Sequence, residues 1–331
     1  IQMRGVGAGT GDDVLSMGTV SFDNVDISGN YVRQFIGLQR YSDVSTLEFK
    51  DVALGGAGSN ITGTFGAGLR IDAFGSGTTT DPTKIDLGNT HFRGVGGLGL
   101  DIEIAPDGFG FLRADATGTK WTIDGIDVAA ADLTVPQALS VEDRILHYVD
   151  GLHPTHGAFD GFVEVKEGKA YVSATHSGNI QRGITAVDAA GTVHVGAGTF
   201  IEDVLVNRAS LKLLGAGPEG AGKTTISGPS GGDVATVRVS ANSVEIAGFE
   251  ITREGNNVAD WNDATLSLAG IAVQGAFTDM LVHDNRITGN RTGIAVNNSS
   301  GHTIRNNVID SNHTGLIFRN VTNNIYFAEN Y

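Results

Sequence analysis

The string GPEGAGKT at 217–224 satisfies GxxxxGK[ST], in which backbone amides cradle a phosphate at a helix N-terminus. A strand pattern precedes it at 211–214, but TISGPS follows, which is a strand fragment and a turn. No helix starts there to aim its dipole, so the string reads as a glycine-rich corner. GPSGG at 228–232 satisfies GxSxG, the nucleophile elbow. That elbow needs its serine at a strand-to-helix turn in an α/β sheet. The strand–helix alternation is absent, and Ser230 reads as a turn residue. His147, His153 and His156, with Asp150 and Asp160 close by, offer imidazole and carboxylate donors for a metal, although their spacing fits no tight zinc pattern. His283, Asp284 and Arg305 are candidates for acid/base chemistry, and their placement depends on a repeat.

The repeat runs over 270–331. Gly270, Gly293 and Gly315 are 23 and 22 residues apart, and the following columns fall into line. Ile271, Ile294 and Leu316 match, as do Val273, Val296 and Phe318. Val282, Ile304 and Phe327 match, followed by Asn285, Asn307 and Asn330. Ile287 pairs with Ile309, and Asn290 with Asn312. A period of this length predicts a solenoid, whose units bury their apolar faces only by stacking. Alternation such as Ile271-x-Val273 is a strand signal, and no helical spacing persists for ten residues. Three short strands per turn, joined by Asn, Gly, Ser and Thr corners, predict a parallel β-helix. Asparagine suits such corners because it stacks in hydrogen-bonded columns and tolerates a left-handed backbone.

These columns resemble the right-handed parallel β-helix repeats of bacterial extracellular proteins and polysaccharide-active enzymes, over 179–331. NIQRGITAVDAA at 179–190 reads as a short opening helix. GTVHVGAGTF at 191–200 and VLVNRASLKLLGAG at 204–217 resemble the first coils of pectate-lyase-like folds. In such lyases, hydrolases and epimerases, acids, bases and Ca²⁺ ligands lie on one solvent-facing sheet. On the sheet carrying Ile271, the register turns Arg238, Ala272, Ala295 and Ile317 outward in one column, and Ser240, Gln274, Asn297 and Arg319 in the next. Neither column offers paired carboxylates. On the sheet carrying Val282, His283, Arg305 and Ala328 form one column, and Asp284, Asn306 and Glu329 the next. His283, Asp284 and Arg305 are thus the acid/base cluster the resemblance would use, against a reading as polar corner residues. The motifs of pectate lyases, pectin methylesterases and alginate epimerases are missing. AGTGDDVL at 8–15 nearly matches the calcium-binding nonapeptide GGxGxDxL, and this likeness implies Ca²⁺ at Asp12 and Asp13. Successive coils sandwich the ion in that family, so a single copy leaves the shell incomplete.

The rest of the chain fits an all-β reading. Over 18–127, alternating runs such as Val20-x-Phe22 and Ile102-x-Ile104 predict a second, irregular β-coil module. At 132–150 Thr134 can cap, Pro136 suits a first turn, and Leu139, Val141, Ile145, Leu146 and Val149 keep helical spacing, ending at Gly151. A hairpin is expected next, with strands at 161–165 and 170–173. The expected organisation is an irregular β-coil module at 1–131, a helix-and-hairpin seam at 132–178, and a regular β-helix at 179–331 truncated at its C-terminal end.

With 48 glycines and no G-x-y period, the chain of 331 residues is not collagen, and helix-rich folds would suffer from such glycine use. A cysteine count of 0 excludes disulfide and thiolate-metal frameworks. The net charge of −15 argues against nucleic acid as a partner. No signal peptide and no membrane-spanning run is seen. The expectation is a piece of a longer secreted or surface-anchored bacterial protein, with self-association through an uncapped last coil as one consequence. The functional expectation is a structural or glycan-binding surface module without a certain cofactor. The alternative is a polysaccharide-active enzyme working on the sheet face.

Overall fold

The computed structural model describes residues 1–4, 17–39, 44–62, 66–72, 78–97, 99–105, 111–153, 157–255 and 268–331. They fall into two compact units, Ile1–Glu167 with Thr175–Ser177, and Gly168–Ala174 with Gly178–Tyr331.

The second unit is a parallel β-helix of three sheets. Sheet I has seven strands: Lys169–Val172, Thr192–Val195, Lys212–Gly215, Glu245–Ala247, Leu281–His283, Thr303–Arg305 and Tyr326–Ala328. Sheet II has five, Gly198–Ile201 to Val308–Asp310, and sheet III has five, Val204–Val206 to Thr314–Arg319. Each strand pairs in parallel with its counterpart one coil away. Ile271, Ile294 and Leu316 stack as the repeat requires, and so do Val282, Ile304 and Phe327. Ile251 aligns with Ile287, whereas Ile246 belongs to the Val282 column. Ile271, Ile294, Val282, Ile304 and Ile287 are fully buried, each contributing about 1.5–3 kcal/mol. In the last coil Phe318 and Phe327 are exposed.

Corners between sheets I and II carry the asparagine column. Asn307 Oδ1 accepts from the Asn285 backbone N–H, and Asn330 Oδ1 from that of Asn307. The Asn307 amide also donates to Val282 O in the coil before and to Arg305 O in its own coil. Asn290 and Asn312 repeat this arrangement between sheets II and III. The left-handed residue is the one before each rung. Asp284, Asn306 and Glu329 have φ of 53°, 55° and 53°, and Gly248 precedes them in this column at 81°. The ladder residues themselves serve as hydrogen-bonding partners rather than as strained turn residues. A helix opens this unit: α2 (Ile180–Ala186) is capped by Asn179, whose side chain accepts from Arg182 N–H.

The first unit is also built of parallel strands, less regularly. One five-stranded sheet runs Gln2–Arg4, Gln34–Gln39, Ala67–Asp72, Ile102–Ala105 and Ile145–Leu146, all parallel. A second carries Met17–Ile27 and Val44–Leu54 in parallel, and ends in an antiparallel pair, Lys120–Ile123 with Ile126–Ala129. Helix α1 (Val135–Glu142) has the expected Thr134 cap as a full capping box with Gln137. It stops eight residues short of the expected end. Ile145–Leu146 is drawn instead onto the edge of the first sheet, where it gains ladder hydrogen bonds beside Ile102 and Glu103. The expected hairpin is also replaced. Gly161–Glu164 pairs in parallel with Leu112–Asp115, and Lys169–Val172 in parallel with Thr192–Val195. The Gly168 turn, at φ 67°, separates two parallel ladders.

Asn307→Ala leaves the Asn285 amide without its acceptor in a buried corner and removes four further side-chain hydrogen bonds. We expect a loss of about 2–4 kcal/mol in urea unfolding. Asn324→Ala, on an exposed loop, should stay within about 0.5 kcal/mol of wild type. Equal effects would show that the column does not hold the coil.

Candidate functional site

The acid/base candidates lie on the outer face of sheet I. His283 Nδ1 is 2.6 Å from Asp284 Oδ2, and its Nε2 is 3.2 Å from Glu245 Oε1. Lys212 pairs with the other Glu245 oxygen at 2.9 Å. Arg305 is the next residue up the His283 column. The Asn306 amide satisfies both its neighbours when its nitrogen donates to Glu329 at 2.7 Å and its oxygen accepts from Arg305 at 3.1 Å. The structure therefore joins His283 to Asp284 and stacks Arg305 beside His283. It adds Glu245 and Lys212, which the repeat comparison missed because 204–255 lies outside its clearest copies. Aligning Ile246 with Val282 would have found them.

This cluster is poorly arranged for a general base. Serving both carboxylates at once requires protons on both ring nitrogens, which leaves no lone pair for a base. Burial alone would raise the Glu245 carboxyl, but Lys212 and His283 outweigh it and hold it below the usual glutamate range. An ionised Glu245 is no general acid.

Sheet III presents a different surface. Its outer column narrows to Ala272 and Ala295, which pack with Ala235 and Ala269 in a patch of small side chains. The resulting groove holds a cavity of about 150 Å³ with Ala295 and Ile317 on its lining and Gln274, Asn297, Arg291 and Arg319 as its polar groups. Arg238 is turned aside to Asp233 at 3.1 Å. Arg319 is exposed and has no ion-pair partner among the described residues. Asn297 Oδ1 is buried without a hydrogen-bond partner.

The two borrowed strings do structural work. Lys223 pairs with Glu250 at 2.6 Å, Thr224 Oγ1 donates to Gly196 O at 2.9 Å, and strand Thr224–Gly228 follows where a phosphate loop needs a helix. The turn around Ser230 is pinned by the buried Arg253, which reaches Asp203 at 2.8 Å.

In the first unit, His147 and Asp150 meet Glu142, which spacing had placed in a helix rather than in a cluster. The three are buried, with ligand atoms within 4.8 Å of one another. His147 Nδ1 accepts the Val163 backbone N–H at 2.8 Å, so the neutral ring carries its proton on Nε2 and donates it to Glu142 at 2.8 Å. Asp150 accepts the His147 backbone N–H. His156, the His153 side chain, and Asp12 and Asp13 lie outside the described residues, and the Ca²⁺ expectation gains no support. Nearby, burial drives Asp101 up to about 6 against the opposing pull of its partner Arg144, and raises Glu142 well above the usual range.

Residues 204–331 match a protein family described as "Periplasmic copper-binding protein (NosD)". No curated protein and no solved structure matches the chain significantly. The stacked parallel sheets and this match identify the second unit as a right-handed parallel β-helix.

The residues described do not fit copper. Copper favours imidazole, thiolate and thioether donors. The matched segment has no cysteine, one methionine, Met280, which is buried, and three histidines. His283 is divided between two carboxylates on opposite sides of its ring. His302 receives the Met280 N–H on Nδ1 and meets Ser299 through Nε2. His313 stands at the surface against Thr314. Among the described residues the one convergent group is Glu142, His147 and Asp150, which lies outside the match. Its imidazole has no lone pair to give while Val163 holds Nδ1.

Asp101 takes up its proton more readily folded than unfolded. Its contribution to stability is therefore fully present below the unfolded value of 3.8 and is lost as pH rises to about 6. Between pH 4 and pH 7 wild type should lose about 2 kcal/mol relative to Asp101→Asn in urea unfolding. Parallel pH profiles would show that this carboxyl does not titrate in that range.

Proposed function

We propose that the chain is a binding module of the bacterial envelope, displayed in the periplasm or beyond it, that takes acidic polysaccharide along the outer face of sheet III. The observation that carries this reading is the groove. An apolar floor of Ala295 and Ile317 suits the flat face of a sugar ring, and Gln274 and Asn297 suit its hydroxyls. Arg319, unpaired among the described residues of a chain with net charge −15, supplies a planar fork for a carboxylate. The described residues include no helix long and apolar enough to cross a membrane. The periplasmic description of the matched family supports an envelope setting. Its copper does not come with this reading, for want of donors. The alternative of a polysaccharide-cleaving enzyme at His283 is disfavoured because both ring nitrogens are taken up by carboxylates of the chain itself.

Calorimetry with an oligouronate and with a neutral oligosaccharide of equal length tests the reading. The acidic ligand should bind and the neutral one bind more weakly. Arg319→Ala, or Ala295→Leu to fill the groove, should weaken the acidic ligand about tenfold, or about 1.4 kcal/mol. Failure of any acidic oligosaccharide to bind, or affinity indifferent to both substitutions, would overturn it.

A further inference from the structure

His302 stands in a column that is otherwise aliphatic. Backbone hydrogen bonds at the start of sheet I relate Leu211, Val244, Met280 and His302 coil by coil: Glu245 N–H donates to Leu211 O, Leu281 N–H to Val244 O, and Thr303 N–H to Met280 O. The first three are buried apolar side chains, and His302 is 1% exposed. A neutral ring in such a place needs partners for both nitrogens, and His302 has them. Nδ1 accepts the Met280 backbone N–H at 3.1 Å, across 22 residues. Nε2 meets Ser299 Oγ at 2.9 Å. The first contact has the form of the asparagine rungs, where Asn307 Oδ1 accepts the Asn285 N–H and Asn312 Oδ1 the Asn290 N–H, each across 22 residues. Burial lowers the His302 pKa, against the opposing pull of Asp279, which keeps the ring neutral and Nδ1 free to accept.

We infer that His302 is an asparagine-like rung in the third corner of the coil, between sheets III and I, and that the segment resembling a copper-binding family holds no copper through its imidazoles. The lone pair a metal would need on Nδ1 is spent on a backbone amide, and the proton on Nε2 is spent on Ser299. His283 faces two carboxylates on opposite sides of its ring, so neither pair of ligand atoms converges with a third. A histidine in this segment is therefore better explained by the corner's need for an acceptor than by metal binding.

Two readouts on the full chain decide the matter. The first is thermal unfolding of His302→Asn and His302→Leu. Asparagine keeps an acceptor at the Nδ1 position, and its melting temperature should stay within about 2 °C of wild type, while leucine should lose about 3 °C or more. The second is titration with Cu(II), and with Cu(I) under reductant, against a chromophoric chelator, for wild type, His302→Asn, His283→Ala and His313→Ala. Wild type should show no one-to-one complex, or only copper whose affinity none of the three substitutions changes. A stoichiometric complex lost in any of the three would overturn the inference. So would a His302→Asn chain as destabilised as the leucine variant. Should His302→Leu fail to fold, the comparison of wild type with His302→Asn still decides both points.

Discussion

A coil of this kind turns three times per circuit, and at each turn the backbone leaves amides pointing along the stack with no strand beside them. Those amides are buried, and a buried amide without an acceptor costs about as much as several well-made hydrogen bonds return. The second unit meets the constraint with side chains that accept from the coil before: Asn307 and Asn330 in one corner, Asn312 in another, His302 in the third. The aliphatic columns supply most of the burial, but they are indifferent to small slips in position. The directional bonds at the corners fix which residue stacks on which. Every outward-facing side chain inherits its position from them.

In the first unit several buried carboxyls find side-chain partners of their own. Glu103 meets Arg70, Asp101 meets Arg144, and Glu142 accepts a hydrogen bond from His147, all with the carboxyl buried. Its strands vary more in length, with an antiparallel pair at one sheet's end, so no single column can repeat. Individual polar groups are satisfied by individual partners. Burial favours the protonated form of Asp101 and Glu142, which ties the stability of this unit to pH.

The same economy of polar groups bears on function. Most imidazoles and carboxylates that could do chemistry are already engaged with one another or with the backbone. In the sheet III groove, by contrast, Asn297 keeps a buried oxygen without a partner and Arg319 has no ion-pair partner among the described residues. A binding role fits that distribution better than a catalytic or metal-carrying one.

Inner columns, corner asparagines and outward columns were legible in the sequence because they recur every 22 or 23 residues, and recurrence carries register without any knowledge of packing. Thr134 was legible as a cap because a capping box is local. The meeting of His283 with Glu245, 38 residues earlier, was not, since the coil between them is longer than the repeat. Nor was the end of α1, where helical spacing continued through Ile145 but a sheet edge offered better hydrogen bonds. The parallel pairing of 161–164 and 169–172 was likewise settled by partner strands distant in sequence. The sequence by itself determined the solenoid, its period and its faces, because these follow from repetition and the alternation of side chains along a strand. Only the tertiary structure decided which polar groups satisfy one another and which do not, because hydrogen bonds depend on distances between residues that the chain brings together from different coils.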